Sequence, residues 1–197
     1  MTQESSLRAS STPKMNDSSF KRRPKLWPQF SAHESWGDLR IEYSPIFKLM
    51  VCFPAPLETD FTVEGLVKLP ARQNPQQRSD LYALAINRYN KVVLADDMSK
   101  LHRVQAALSA QPDVLVGDGS SAITTATISG VHAGELLSRG TDVDVARLQD
   151  GAYVRCQLDQ AVIVVHRDND TFWVHWPEPL TEYVAQWIGS IVALKCD

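Results

Sequence analysis

The chain has 197 residues, 44% of them hydrophobic, and a formal net charge of −3. That is enough for one sizeable core and too little to require two. No run is long and apolar enough to span a bilayer and none reads as a targeting peptide, so a soluble, cytoplasmic protein without a membrane partner is expected.

The modest net charge conceals an asymmetry. Through Lys25, six basic residues stand against Glu4 and Asp17, a surplus of four, which leaves −7 on the remainder. An acidic body argues against a large nucleic-acid footprint, which needs a basic face. Three cysteines, Cys52, Cys156 and Cys196, are odd in number and widely spaced. They form neither a disulfide framework nor a zinc pattern and are read as reduced thiols.

Residues 1–25 are Ser-rich with almost no apolar side chains, which predicts a disordered tail. Lys21, Arg22, Arg23 and Lys25 make its one dense basic run. Such a run is a solvated linker, an import signal or a nucleic-acid arm. Trp27, Phe30 and Trp36 follow, so the folded part, residues 26–197, is expected to be a single α+β domain beginning near Leu26.

From Asp38 the chain alternates, with Leu39, Ile41 and Tyr43 on one face and Arg40 and Glu42 on the other, which predicts a half-buried strand. Ile46 to Phe53 reads as a second, more buried strand, stopped by Pro54 and Pro56. Cys52 inside it lacks the electropositive, accessible setting of a catalytic thiol. Phe61 to Leu69 is a third strand, Pro70 to Ser79 an exposed loop, and Leu81–Ile86 with Lys91–Ala95 a hairpin. Asp96 or Asp97 then caps a helix whose stripe is Met98, Leu101, Val104 and Leu108.

Val92–Asp97, this helix and Val114–Gly119 superficially resemble the opening of a response-regulator receiver domain. Four or five strand candidates ahead of the supposed first strand exclude that assignment, as does the lack of a later strand ending in an isolated aspartate. Asp113–Val116 begins another strand, and Gly117-Asp118-Gly119-Ser120-Ser121 lacks the lysine of a phosphate loop and reads instead as a hairpin turn, with Ala122–Ile128 as the returning strand. Ser129 is expected to cap a short helix through Leu137 that ends at Gly140, and Asp142–Val145 to be an exposed strand edge.

The clearest structural statement is Gly151 to Pro177, read as three consecutive strands over Ala152–Leu158, Ala161–His166 and Thr171–Trp176. A two-residue loop at Asp159-Gln160 and a four-residue loop at Arg167–Asp170 would set Cys156 opposite Ile163 and Ile163 opposite Val174. Val154, Cys156, Leu158, Ile163, Phe172, Val174 and Trp176 then share an apolar face. The other face carries Tyr153, Arg155, Gln157, His166, Trp173 and His175 around Val162 and Val164. Last comes an amphipathic C-terminal helix with Leu180, Tyr183, Val184, Trp187, Ile188 and Ile191 on one stripe, expected to pack on the apolar face.

The fold expected is therefore α+β, a mostly antiparallel sheet built from hairpins and packed by a few helices. No residue is assigned as catalytic, and no metal or cofactor is expected. The function that fits best is a non-enzymatic protein–protein interaction or assembly module, with Tyr153, Arg155, Trp173 and His175 as the partner-binding face, since Trp, Tyr and Arg anchor interfaces. The bland reading of that face is an inner surface covered by the chain's own strands. Two alternatives stand beside it. One is a thiol hydrolase or transferase using Cys156 with His166 or His175. The register sets these groups on opposite faces of the sheet, which weighs against it. The other is a nucleic-acid accessory protein acting through Lys21, Arg22, Arg23 and Lys25.

Overall fold

A computed structural model describes residues 27–30, 34–63, 65–70 and 81–194. The expected tail with its basic run, nearly all of the Pro70–Ser79 loop, and Cys196 lie outside the described residues. Eleven strands and three helices follow in the order β1 (Arg40–Tyr43), β2 (Phe47–Cys52), β3 (Phe61–Val63), β4 (Val67–Leu69), β5 (Leu81–Ala85), β6 (Asn90–Ala95), α1 (Met98–Ser109), β7 (Leu115–Asp118), β8 (Ile123–Ser129), α2 (Ala133–Ser138), β9 (Tyr153–Leu158), β10 (Ala161–Asp168), β11 (Thr171–Pro177) and α3 (Thr181–Val192). The fold is α+β. Its two main sheets are antiparallel throughout, one with strand order β1-β8-β11-β10-β9 and the other β5-β6-β2-β7.

The layers follow from which face of each strand is apolar. Cys156, Leu158, Ile163, Phe172, Val174 and Trp176 cluster with Leu136 and Leu137 of α2 and with Val184, Ile188 and Val192 of α3. The expected apolar face is thus the core under the C-terminal helix. Each of the three α3 side chains contributes about 1.5–3 kcal/mol by leaving water. Leu49, Val51, Val93 and Ala95 of the second sheet pack on Leu101, Val104 and Leu108 of α1, with Val63, Val67 and Leu69 of the β3-β4 hairpin beside them. A third cluster lies between the sheets, where Tyr82, Leu84, Val92 and Leu94 meet Tyr153, Val164 and Trp173.

Local signals account for most boundaries. Asp97 caps α1 by accepting from the Ser99 N–H at 2.8 Å, which satisfies one of the helix's orphan donors. The hairpin β9-β10 turns through Asp159 and Gln160, with Cys156 opposite Ile163 as expected. The turn between β10 and β11 is tighter than expected. Asp168 pairs with Thr171, so only Asn169 and Asp170 form the loop, and Val165, not Ile163, faces Val174. Asn169 takes a left-handed φ of 54°, a conformation that asparagine tolerates and that lets two residues suffice. The slip is two residues, so every side chain keeps its face.

Four expectations are corrected. Phe61–Leu69 is not one strand but the hairpin of β3 and β4, reversed at Gly65 with φ 67°. The segment Gly117–Ser121 is not a hairpin turn, because β7 pairs with β2 while β8 pairs with β1 and β11 in the other sheet. There the chain is stitched to β2 before it crosses over. Gly119 N donates to Lys48 O at 3.0 Å, and Lys48 N donates to Ser120 Oγ at 3.1 Å. A Cβ on Gly119 would stand 2.6 Å from Met50 Cγ, so this close approach needs glycine. Ser129 caps no helix, since β8 holds it in register with Arg40 and Thr171 and α2 starts at Ala133. Of the expected edge at Asp142–Val145 no strand forms. Thr141 makes a single bridge to Leu158, and Val145 is buried at the start of a 3-10 turn.

The described chain opens on aromatic contacts. Trp27 stacks on Trp176 at 5.6 Å between ring centroids, and Phe30 meets it edge-on at 5.3 Å. Trp36 Nε1 donates to Leu194 O at 2.8 Å, which ties this segment to the end of α3.

Candidate partner-docking site

Strand β9 presents alternate residues to opposite sides, and its two sides are covered to different extents. Three of the four expected partner-binding residues, Tyr153, Trp173 and His175, are buried between the two sheets. The Tyr153 hydroxyl accepts from Ala85 N at 3.0 Å, and His175 Nδ1 is 2.9 Å from Thr125 Oγ1. These three side chains face the chain's own strands rather than solvent. The strands β5 and β6 close over the aromatic half of the expected face, because their own apolar residues Tyr82, Leu84, Val92 and Leu94 have to leave water as well. Arg155 alone of the four reaches solvent, beside Val164 in the register. It forms no ion pair or hydrogen bond among the described residues.

The thiol chemistry weighed from the sequence is not assembled. Cys156 lies under the helices, where burial first and Asp142 second push its thiol up to about 11. His166 and His175 sit on the other side of the same sheet. Cys52 is half-buried in β2, with its sulfur 3.8 Å from Phe53 O. Among the described residues no three His, Cys, Asp or Glu side chains gather as metal ligands would.

The sheet edges mark where a partner fits. An unpaired edge is a row of free backbone donors and acceptors, and proteins protect such edges by charge, shortness or cover. Strand β1 is four residues long and carries Arg40 and Glu42. Strand β9 is bridged at Leu158 by Thr141, and β5 has β4 alongside. Strand β7 is as short as β1, but over Leu115, Val116 and Gly117 it carries no charge, the first being Asp118 at its end. Leu115 is 70% exposed, exceeded among the large apolar side chains of the described residues by Val131 elsewhere. Nothing lies within 4 Å of where a Cβ on Gly117 would be, so a knob stands beside a notch on one strand.

This edge borders the inter-sheet core. Leu115 pairs with Cys52 and Gly117 with Met50, and Met50 packs at the core's margin together with Ile86 and Ile123. Arg155 borders the same core from the other sheet. Behind Met50 lies Lys48, 1% exposed, its ammonium donating to Ile46 O at 3.0 Å. Burial lowers its pKa to about 8 against the smaller opposing pull of Asp118. A strand beginning over Asp113–Val116 was legible in the sequence. Its exposure was not, because pairing it with Ala122–Ile128 would have covered it.

No family model matches the chain, and no curated protein matches its sequence. Solved structures do match. One chain of the heterotetrameric sarcosine oxidase from Corynebacterium sp. U-96, in complex with pyrrole 2-carboxylate, is 16% identical over 78% of this chain and 83% of that one, with a TM-score of 0.64. The likeness is one of fold. The glycine cleavage system aminomethyltransferase T from Bartonella henselae is 10% identical over 79% of this chain, with a TM-score of 0.52. There the match takes up only 47% of the longer chain.

Proposed function

We propose that this chain is a non-catalytic assembly subunit that docks on a larger chain of a multi-subunit enzyme through the β7 edge, with Arg155 of β9 as a further contact. The observation that carries this reading is that the matching fold fills 83% of a chain within a heterotetrameric oxidase. A fold of this kind therefore occurs as a chain of its own inside a multi-chain enzyme. The uncharged, exposed edge at Leu115 and the uncommitted guanidinium of Arg155 support it, since an extended segment can add to such an edge and an acidic or carbonyl group can meet the cation.

The test is affinity capture from source lysate with the wild-type chain and with Leu115→Lys and Arg155→Glu. The expected result is a larger enzyme chain held by wild type and lost from both variants. Capture of nothing, or equal capture by all three, overturns the proposal.

A further inference from the structure

A groove of about 1050 Å³ lies away from the β7 edge, between the start of β1, the end of β8, α2 and the turn after it. Its lining carries four carboxylates, Asp38, Glu135, Asp144 and Asp170, against the guanidiniums of Arg40 and Arg167. Glu135 is paired with Arg139 at 2.8 Å and Asp144 with Arg147 at 3.0 Å, cations that do not line the groove. Asp38 accepts only from Val131 N at 3.1 Å, and Asp170 has no partner among the described residues. Arg167 is committed to the wall, donating to Leu148 O, Asn169 O and Ala146 O at 2.8, 3.0 and 3.3 Å and lying over the Phe172 ring.

The groove is built into the fold. A Cβ on Gly130, whose φ is 108°, would stand 2.8 Å from Asp38 O, and one on Gly134 would stand 3.0 Å from Ala146. The walls therefore approach as closely as they do only over glycine. Val131, 80% exposed, stands on the rim.

We propose that the occupant of this groove is the basic run of the same chain, Lys21, Arg22, Arg23 and Lys25. Charge complementarity favours it, since Asp38 and Asp170 are the two carboxylates of the lining that no cation among the described residues pairs. Reach favours it as well. Trp27, the first described residue, is anchored on Trp176 and lies 6.5 Å from Tyr43 between ring centroids. The groove begins at the other end of β1, about 10 Å away at about 3.4 Å per strand residue. Lys25 precedes Trp27 by two residues and Lys21 by six, and six extended residues reach about 20 Å. A tether this short holds the run at a millimolar effective concentration, so contacts too weak to bind a free peptide tightly are enough. Pairing of this kind between exposed charges is screened by salt.

The experiment uses the full chain, labelled with nitrogen-15, and follows the backbone amides of Val131, Asp144 and Asp170 by NMR. Three proteins are compared at low salt and at about 0.5 M NaCl: wild type, the tail variant Lys21→Gln, Arg22→Gln, Arg23→Gln and Lys25→Gln, and the groove variant Asp38→Asn with Asp170→Asn. The expected result is that the groove amides differ between wild type and the tail variant at low salt, and that salt moves the wild type onto the tail variant. The groove variant should lose that salt response. Groove amides that coincide in wild type and the tail variant overturn the proposal. So do shifts that persist in the groove variant, or that fall at the β7 edge instead.

Discussion

Lys48 offers a test of the packing between the sheets, because a buried ammonium with one carbonyl acceptor is under-solvated. The perturbation is Lys48→Met, which keeps the stem's volume and removes the charge. The fall from the ordinary value of 10.5 to about 8 corresponds to about 3 kcal/mol at 1.36 kcal/mol per pH unit. The sign follows from proton binding. Between pH 8 and 10.5 the unfolded chain holds the proton that the folded chain has released, so this residue makes stability rise with pH across that window. Below pH 8 the full cost is present. Lys48→Met should therefore stabilise at pH 7 by up to about 3 kcal/mol, less about 1 kcal/mol for the lost hydrogen bond. The assay is urea unfolding of both proteins at pH 7, 8, 9 and 10, read as the difference between them. The difference removes the opposite contribution of Cys156, whose raised pKa stabilises below about pH 9 and is lost as pH rises toward 11. The advantage of the variant should shrink steadily above pH 8. A destabilised variant at pH 7, or a difference that does not change with pH, would refute the reasoning.

Three further outcomes follow from the layers. Trp173→Ala should cost about 3–5 kcal/mol in chemical denaturation, as a core truncation does, because the ring is sealed between the sheets; a loss below about 1 kcal/mol would place it on the surface. Gly140→Ala should destabilise by about 1–3 kcal/mol and blue- or red-shift tryptophan emission, since the new Cβ would stand 1.9 Å from the Trp187 ring and must displace it; unchanged stability and emission would contradict this contact. Cys156→Ala should cost about 1–2 kcal/mol, and a thiol reagent should label Cys52 well before Cys156 in the folded protein. Rapid labelling of Cys156 would count against its burial.

The side chain alternation of β9, β10 and β11 was legible because a period of two survives errors in loop length. Reading the turn after β10 as four residues moved the partners by two and changed no face. The stripe of α3 and the Asp97 cap of α1 were legible for the same reason, as local patterns with local causes. What the sequence withheld was the association of distant strands. Nothing near Gly117 or Asp118 says that β7 pairs with β2, some seventy residues earlier, rather than with its neighbour β8. The same gap explains the quartet on the far side of the sheet. Tyr153, Trp173 and His175 look like interface anchors until β5 and β6 are known to lie over them. Arg155 escapes because that cover does not extend over it.

The most direct measurement of the assembly proposal is native mass spectrometry of material captured from source lysate on the full chain, with Leu115→Lys run in parallel. The account predicts a discrete hetero-oligomer with a larger enzyme chain for wild type. It predicts only the free subunit for Leu115→Lys, whose melting temperature should match wild type because the side chain is exposed. A wild-type chain recovered alone, or a Leu115→Lys chain that retains the same complex, would contradict it.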